Sequence, residues 1–383
     1  MAENTITGLI PDIYEALDIV SRELTGMIPS VSLNASANRA TVGQNIRVDV
    51  EPEGTLVDIT PAMAVPEPAG QTSGFTDIII TKSQASPFGF NGEDELGLNT
   101  GAGYGTVRAG KIAQAIRKLT NQVEADLCGL QSTFSRAVGT AGTTPFGTAN
   151  DYTDASKALQ VLKDNGSPLQ DNQLVINTNA GVNMLGKQAN VSDAGSDSIL
   201  RQGVLLDVNG MPIRESAQVN SVAAVGTTAN AVTTAGHAVG STSIVLKAGG
   251  SGTILAGDVI TFAGDTNQYV VVTGVGAVSG ATIVIAAPGL RQALPVGDKA
   301  ISIVAASARN MAFNRSAIVL AARAPARPVE GDMASDVIVI TDPRSGLSME
   351  FAMYQGYRKV RYEVALAWGV KNIKPEHTAL LLG

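Results

Sequence analysis

The stretch KIAQAIRKLTNQVEADLCGLQSTFSRAVG, residues 111–139, carries the clearest secondary-structure pattern in this 383-residue chain. Its large apolar side chains recur every three or four residues, at Ile112, Ile116, Leu119, Val123, Leu127, Leu130 and Phe134. This spacing matches one face of an α-helix, which has about 3.6 residues per turn. The pattern predicts one continuous helix of about seven turns that ends at Gly139 and lies across a sheet.

Upstream of this helix, the sequence predicts an N-terminal arm followed by a long loop. An amphipathic helix is predicted at residues 12–25, and strands are predicted at 45–51 and 76–82. Between the strands lies the stretch PEGTLVDITPAMAVPEPAGQTSG, whereas connections in compact domains usually have about 4–6 residues. A loop of this length is expected to bind another molecule. The polar, Gly-rich residues 91–106 predict a solvated loop, including the acidic cluster Glu93, Asp94 and Glu95.

Downstream of the helix, the patterns alternate between helix and strand. Helices are predicted at residues 154–165, around 182–187 and in SDSILRQG (196–203), with a strand at 173–177 and a turn at Asn209–Gly210. Residues 222–305 differ, with 13 Gly, three acidic residues and three Lys or Arg among short β-branched runs. They predict a small all-β domain inserted into a loop of an α+β chain.

The last part of the chain predicts strands and contains its single tryptophan. Residues 309–325 predict a strand or a short helix, and strands are predicted at 336–341, 347–353 and 357–368. In the last of these, apolar and polar side chains alternate, so one face is expected to be buried. Trp368 is therefore interpreted as a packing anchor, and His377 as an incidental residue of the tail.

Composition and charge exclude several classes of protein. The chain is 44% hydrophobic and 16% charged, which is typical of a folded protein, and its formal net charge is −7. A dedicated nucleic-acid binder would carry excess Lys and Arg. The single cysteine allows no internal disulfide, the N-terminus lacks the pattern of a signal peptide, and no stretch approaches the about 20 apolar residues of a membrane span. The sequence predicts a protein made in the cytoplasm without contact to a membrane.

The sequence contains no convincing catalytic or metal-binding motif. GTVRAGKI, residues 105–112, resembles a P-loop, but Ile112 stands where Ser or Thr would hold magnesium. Two distant histidines and one cysteine cannot form a zinc site. Cys128 lies beside the apolar stripe and is expected to pack as a small hydrophobe. We therefore predict a protein that is not an enzyme and needs no cofactor.

Two basic groups remain open to more than one interpretation. The first lies at the start of the long helix and comprises Arg108, Lys111, Arg117 and Lys118. The second comprises Arg309, Arg315, Arg323 and Arg327. Either group could face a polyanion, but a solvated face or ion pairs between subunits would explain them equally well. We favour these two interpretations over a polyanion site.

Three segments resemble the P-twenty-two-type major coat proteins of tailed phages. AIRKLTNQVEADL (115–127) resembles the spine helix of that family, and LAGDVITFAGD (255–265) resembles a segment of its inserted β-domain. ALAWGVKNIKPEHTALLLG (365–383) resembles its C-terminal segment. All three segments occur in the order found in the family, and the resemblance spans nearly the whole chain.

The resemblance implies the Hong Kong 97-like capsid fold, an α+β fold with named regions. It assigns 1–40 to the N-terminal arm, 41–90 to the E-loop region, 91–149 to the P-domain with the spine helix, 150–221 and 306–345 to the A-domain, 222–305 to the inserted β-barrel-like I-domain, and 346–383 to the C-terminal strands of the P-domain. The inserted domain of this chain is shorter than that of the best-known member and nearly uncharged. No motif identifies an acceptor for a covalent cross-link at Lys82, so we predict none.

The resemblance also implies a function and partners. The chain is expected to assemble into hexamers and pentamers of an icosahedral procapsid in the cytoplasm of a host bacterium. Expected partners are a scaffolding protein, a portal protein at one vertex and packaged double-stranded DNA, which is bound without specificity. The mature location would be the capsid of the virion. The first basic group, Arg108, Lys111, Arg117 and Lys118, is the candidate to face the lumen.

Contacts between subunits are expected from polar side chains of the E-loop region. The candidates are Arg47, Asp49, Glu51, Glu53, Asp58 and Glu67. Exposed ion pairs contribute about 0–1 kcal/mol each, which suits an assembly that corrects its errors. Two alternatives stay open: an encapsulin-like cellular shell of the same fold, and a β-rich surface or tail adhesin.

Overall fold

The computed structural model describes residues 24–383 apart from 36–37, 51–58, 60, 62–73, 100–103, 150, 188–204, 206, 229–231, 234 and 344. Three predictions therefore lie wholly or almost wholly outside the described residues. They are the helix at 12–25, the helix in SDSILRQG and the loop between the first two predicted strands.

The described residues form four α-helices. They are α1 Gly92–Asn99, α2 Tyr104–Gly129, α3 Thr153–Asp164 and α4 Thr178–Lys187. Helix α2 contains the predicted apolar stripe, but it ends at Gly129 rather than at Gly139. A short 3-10 turn and a strand follow it, and the side chain of Phe134 is nevertheless fully buried. The apolar spacing thus continues beyond the point where the helical backbone stops, so the predicted end was wrong.

The predicted polar loop at residues 91–106 is also wrong, because α1 and the start of α2 lie there. Asn91 and Asp94 cap α1 reciprocally: the backbone N–H of Asp94 donates to Asn91 Oδ1 over 2.7 Å, and that of Asn91 donates to Asp94 Oδ2 over 3.1 Å. This arrangement satisfies N–H groups that a helix start would otherwise leave unpaired. The acidic cluster forms the first turn, where negative charge favours a helix.

Strands make up most of the remaining described structure. They are β1 Ser32–Ala35, β2 Asn45–Val50, β3 Gly74–Ile79, β4 Lys82–Asn91, β5 Arg136–Gly139, β6 Asn172–Ile176, β7 Ile213–Glu215, β8 Ser221–Val222, β9 Thr227–Thr228, β10 Val232–Thr233, β11 Ser243–Val245, β12 Gly252–Thr253, β13 Val259–Phe262, β14 Gln268–Thr273, β15 Thr282–Ile285, β16 Lys299–Ile303, β17 Ser307–Asn314, β18 Ile318–Arg323, β19 Ala334–Thr341, β20 Ser348–Gly356, β21 Lys359–Asn372 and β22 Thr378–Leu382. Few helices and many strands confirm the predicted α+β class.

The first sheet is built around the long strand β21. One edge of β21 pairs with β4, and its other edge pairs first with β20 and then with β18. Strands β19 and β1 extend the sheet beyond β20 and β18. Helix α2 packs on one face, where its apolar stripe meets Tyr362, Val364, Leu366 and Trp368. The alternation predicted for this part of β21 therefore corresponds to the face that is buried against α2.

The second sheet contains the most deeply buried strands. Its central order is β5, β22, β17, β6 and β7, and every residue of β6, β17 and β22 is buried. Helices α3 and α4 cover one face with a separate apolar core. The C-terminal strand β22 thus lies in a different sheet from β21, so the residues assigned to one C-terminal unit at 346–383 are divided between two sheets.

Within residues 222–305 the described elements are all strands, and the assignment of this range to an inserted domain stays a prediction. Strands β9 to β16 enclose a core of their own, which includes Ile260, Tyr269, Ile283 and Ile301. Strand β14 of this unit pairs with β5, through Gln268 opposite Ala137 and Tyr269 opposite Arg136. The unit therefore has its own core and also continues the second sheet.

Candidate assembly surfaces

Strands β2 and β3 form a two-stranded ribbon that carries the start and the end of the predicted E-loop. Its inner residues Ile78 and Ile80 are fully buried against Val319, Ala321 and Ala367. On its outer side, Phe75 is 54% exposed and Ile79 is 51% exposed. The ribbon is thus anchored through one face at its base, whereas the opposite face at Ile79 and the outer part at Phe75 are exposed.

The base of the ribbon crosses β21 at Gly369. A Cβ atom at this position would lie 2.1 Å from the carbonyl oxygen of Ile79 and 3.1 Å from the Cα of Ile80. Backbone atoms cannot give way as a flexible side chain does, so the crossing requires glycine here. This contact gives a physical reason for the glycine after Trp368 in the C-terminal motif.

Two of the six predicted contact residues lie on the described part of the ribbon. The Arg47 guanidinium stands 3.6 Å over the ring of Phe75, and its Nε lies 3.2 Å from Asp77 Oδ1 on the opposite strand. Asp49 is exposed two residues farther along β2. The other four candidates, Glu51, Glu53, Asp58 and Glu67, lie outside the described residues. Their role in contacts between subunits stays a prediction.

Three members of the first basic group line a groove between α2 and β4, which we call the basic groove. Its volume is about 530 Å³, and its lining comprises Ser86, Pro87, Phe88, Lys111, Gln114, Ala115, Arg117, Lys118 and Asn121. The structure therefore brings Lys111, Arg117 and Lys118 together, whereas Arg108 stands with its guanidinium 5.2 Å over the ring of Tyr104 outside this lining.

The arginines of the second basic group bind or are buried within their own subunit, although Arg315 remains exposed. Arg323 donates to the carbonyl and side-chain oxygens of Asn34, and Arg327 Nε donates to Glu350 Oε1 over 2.8 Å. Arg315 contacts the carbonyl oxygens of Pro29 and Val31, and Arg309 is only 2% exposed. Arg323 and Arg327 thus join segments of the same subunit and Arg309 is buried, whereas Arg315 stays exposed, so the four do not form one continuous basic surface.

Glu124 on α2 anchors the N-terminal segment, a contact that the sequence did not reveal. Its carboxylate accepts hydrogen bonds from the backbone N–H of Met27 over 2.7 Å and of Ile28 over 3.0 Å, and from the hydroxyl of Ser216 over 2.7 Å. Burial raises the pKa of Glu124, and these hydrogen bonds oppose that rise. The partners lie more than 90 residues away along the chain, so only the fold brings them together.

Trp368 and Cys128 are buried, and His377 is partly buried. The exposed fraction of Trp368 is 0%, and its role as a packing anchor stays a prediction. Cys128 is buried, and this burial raises the pKa of its thiol to about 12, which disfavours the nucleophilic thiolate. Burial lowers the pKa of His377. Among the described residues, no group of three or more His, Cys, Asp or Glu is placed to hold a metal ion.

No helix within the described ranges has the length and apolar character needed to cross a membrane. Even the 26-residue helix α2 carries charged side chains at intervals along its exposed face.

The chain is similar to solved structures of capsids and of a virus-like particle, while no family model and no curated protein sequence matches it. One is the capsid structure of the cyanophage P-SCSP1u, with 10% identity and a TM-score of 0.49 over 94% of this chain and 89% of that chain. Another is the mature capsid of bacteriophage PhiM1, with 10% identity and a TM-score of 0.47 over 95% and 87%. A third is the virus-like particle from Pyrococcus furiosus, with 10% identity and a TM-score of 0.41 over 97% and 96%. These likenesses cover nearly the whole chain.

Proposed function

We propose that this chain is the major capsid protein of a tailed phage, a structural subunit that assembles with copies of itself into an icosahedral shell. The resemblance in sequence supports the family, because three segments occur in the family's order. The observation that carries the mode of action is the ribbon, which is fixed at its base and exposed farther out.

The geometry of the ribbon favours contact with a second copy. An isolated two-stranded ribbon is at best marginally stable in water, so it benefits from lying on another surface. Phe75 and Ile79 offer exposed apolar area, and Arg47 and Asp49 offer exposed charge. Such contacts are individually weak and gain strength from repetition around a closed shell.

The finer parts of the proposal follow from the family resemblance. The subunits form hexamers and pentamers with a scaffolding protein, a portal protein occupies one vertex, and the shell expands as it encloses double-stranded DNA. Assembly takes place in the cytoplasm of the host bacterium. The protein acts without catalysis, since assembly requires only binding between subunits.

One experiment tests the proposal most directly. The chain is expressed with and without the genes beside it, and the lysates are inspected by electron microscopy. We expect closed shells or tubular polyheads in at least one condition. A monomer in every condition would contradict the assembly of this chain. The particle contents separate the alternatives, because a phage head holds DNA and an encapsulin-like shell holds a protein cargo.

A second experiment tests the predicted E-loop. A variant lacking residues 52–68 is expected to keep a folded subunit, because both strands of the ribbon and its buried base are retained. The same variant should fail to form stable shells. Circular dichroism and sedimentation measure the two outcomes, and normal particles from the deletion would contradict a role of this loop in assembly.

A further inference from the structure

The basic groove has the charge and shape of a binding site for an acidic side chain. Lys111, Gln114, Lys118 and Asn121 follow one another at spacings of three and four along one face of α2. The groove's lining includes three cationic residues and no acidic one. Below them, the apolar surface includes Phe88, which packs partly buried against the main core. A groove that combines positive charge with an apolar floor suits a partner surface that carries both an acidic and an apolar side chain.

The other side of the groove is the outer edge of the first sheet. Strand β4 pairs with β21 along its whole length, and no described residue pairs with its opposite edge. Pro87 suits this position because it has no backbone N–H to leave unpaired. The groove is therefore open on the side where a neighbouring molecule could approach.

The same subunit carries a surface of matching chemistry on helix α1. Glu93 and Leu96 are three positions apart and thus share one face of this helix. Glu93 is exposed, and Leu96 is 74% exposed, which is unusual for so large an apolar side chain. Neither residue lines the basic groove of its own subunit.

We infer that the basic groove of one copy binds the α1 face of a second copy, an inference that rests on the proposed assembly. In this contact Glu93 pairs with Lys118, and Leu96 packs on the apolar floor of the groove. The two surfaces differ, so the contact is heterologous and passes from copy to copy as in a ring. A nucleic-acid duplex fits less well. It carries about one charge per 1.7 Å of its axis and would need a broad basic track, whereas this recess holds three cations beside side-chain amides.

A charge exchange tests the contact. Lys118→Glu and Glu93→Lys are made singly and together, and the concentration needed for assembly is measured by sedimentation at low salt. Each single variant should raise this concentration by about tenfold, because like charges then oppose each other. The double variant should restore assembly to within about threefold of the natural protein, since the pair is present again in reverse. The matched controls Lys163→Glu and Glu330→Lys, both at exposed positions, should change little.

A second measurement does not depend on assembly thresholds. Glu93→Cys and Lys118→Cys proteins are mixed in equal amounts and oxidised, and a disulfide-linked dimer is expected in the mixture. Either protein alone should remain largely unlinked, because Cys128 is buried.

The outcomes separate this inference from the proposed function. If the natural protein assembles and the exchange neither impairs nor restores assembly, the contact is wrong while the capsid role stands. If Lys118→Glu assembles normally and only loses packaged DNA, the groove faces the genome and the contact is also wrong. A natural protein that never assembles would overturn the proposed function, and the contact with it.

Discussion

The indole Nε1 of Trp368 donates a hydrogen bond to Asp126 Oδ2 over 2.8 Å, which joins strand β21 to helix α2. The other carboxylate oxygen of Asp126 lies 2.6 Å from Lys82 Nζ on β4, and Lys82 stands opposite Trp368 in the strand pairing. One carboxylate therefore fixes the long helix to two neighbouring strands. A partly buried charge with two such partners is compensated, but removing either partner leaves a group unpaired.

Replacing Asp126 should destabilise the subunit. Asp126→Ala removes the acceptor of the fully buried indole, and we expect the free energy of unfolding to fall by about 1–3 kcal/mol. Trp368→Phe should cost a similar amount. The double variant should cost less than the sum, because both changes break the same bond. Denaturant unfolding followed by circular dichroism measures all three, and strictly additive losses would show that the bond contributes nothing.

Glu124 should make stability depend on pH. Its pKa is raised by burial above the ordinary value of 4.5, so the unfolded chain loses its proton at a lower pH than the folded chain does. Stability from this group is fully present below pH 4.5 and is lost as pH rises through the folded pKa. The free energy of unfolding of the natural protein, measured relative to that of the Glu124→Gln variant, should therefore decrease as the pH rises above 4.5.

Urea unfolding of the natural protein and the Gln variant at several pH values from 4 to 8 measures that difference. The constant cost of the amide, which offers one acceptor oxygen to Met27 and Ile28 in place of two, cancels because it does not vary with pH. A difference that stays flat, or that moves in favour of the natural protein with rising pH, would contradict the raised pKa.

Arg309 should be replaceable by an apolar residue. It is 2% exposed, and its guanidinium nitrogens have no hydrogen-bond partner among the described residues. Burial lowers its pKa, and the nearby charge of Asp258 opposes this shift. Arg309→Met keeps most of the volume and removes the buried charge, so the free energy of unfolding should rise by about 1 kcal/mol or stay unchanged.

Replacing Asp258, the charged residue near Arg309, is expected to have the opposite effect on stability. Its carboxylate accepts backbone hydrogen bonds from Val225, Gly226 and Leu255. Asp258→Ala leaves those N–H groups without their acceptor and should cost about 1–3 kcal/mol. If Arg309→Met proves the more damaging of the two in denaturant unfolding, the arginine stabilises the fold and the prediction is wrong.

Gly369→Ala should displace the ribbon while leaving most of the subunit folded. The added Cβ would stand 2.1 Å from the carbonyl oxygen of Ile79, so the base of the ribbon must move. Hydrogen exchange is expected to increase in β2 and β3 with little change in β17 and β22. Ala365→Gly, four residues earlier on the same strand, is a control for strand propensity. Equal protection of the ribbon in both variants and the natural protein would refute the crossing.

The sequence predicted the elements whose pattern is local. The apolar stripe from Ile112 to Leu127 located α2, and alternation located β21, because burial on one face repeats with the period of the backbone. The end of α2 escaped prediction because Leu130 and Phe134 keep the helical spacing while the backbone turns into a strand. Helix α1 was missed because its cap depends on the reciprocal bonds of Asn91 and Asp94 within a Gly-rich stretch.

The surfaces were harder to predict than the elements, since they depend on contacts between distant segments. The first basic group was recognised, but the groove that it lines requires β4 beside α2. For the second basic group the sequence left open a polyanion, solvent or another subunit, yet Arg323 and Arg327 bind Asn34 and Glu350 inside the subunit. Charge alone does not say whether an arginine faces solvent or a partner in its own chain.

The all-β unit at residues 222–305 should fold when expressed alone. Its apolar core is formed by thirteen buried residues that all lie within the unit, from Ile244 to Ile301. Its link to the rest of the subunit is local: β14 pairs with β5 at two positions, Gln268 Nε2 donates to the carbonyl oxygen of Gly139 over 3.0 Å, and Val259 and Val270 pack into the main core. Loss of these contacts exposes one strand edge and these two valines but leaves the thirteen residues of the unit's own core in place. The fragment should therefore show cooperative thermal unfolding and protected amides in β13 and β14. Ile260→Asp, which buries a charge in that core, should abolish both signals. Absence of protection in the unmodified fragment would show that the unit depends on the second sheet for its fold.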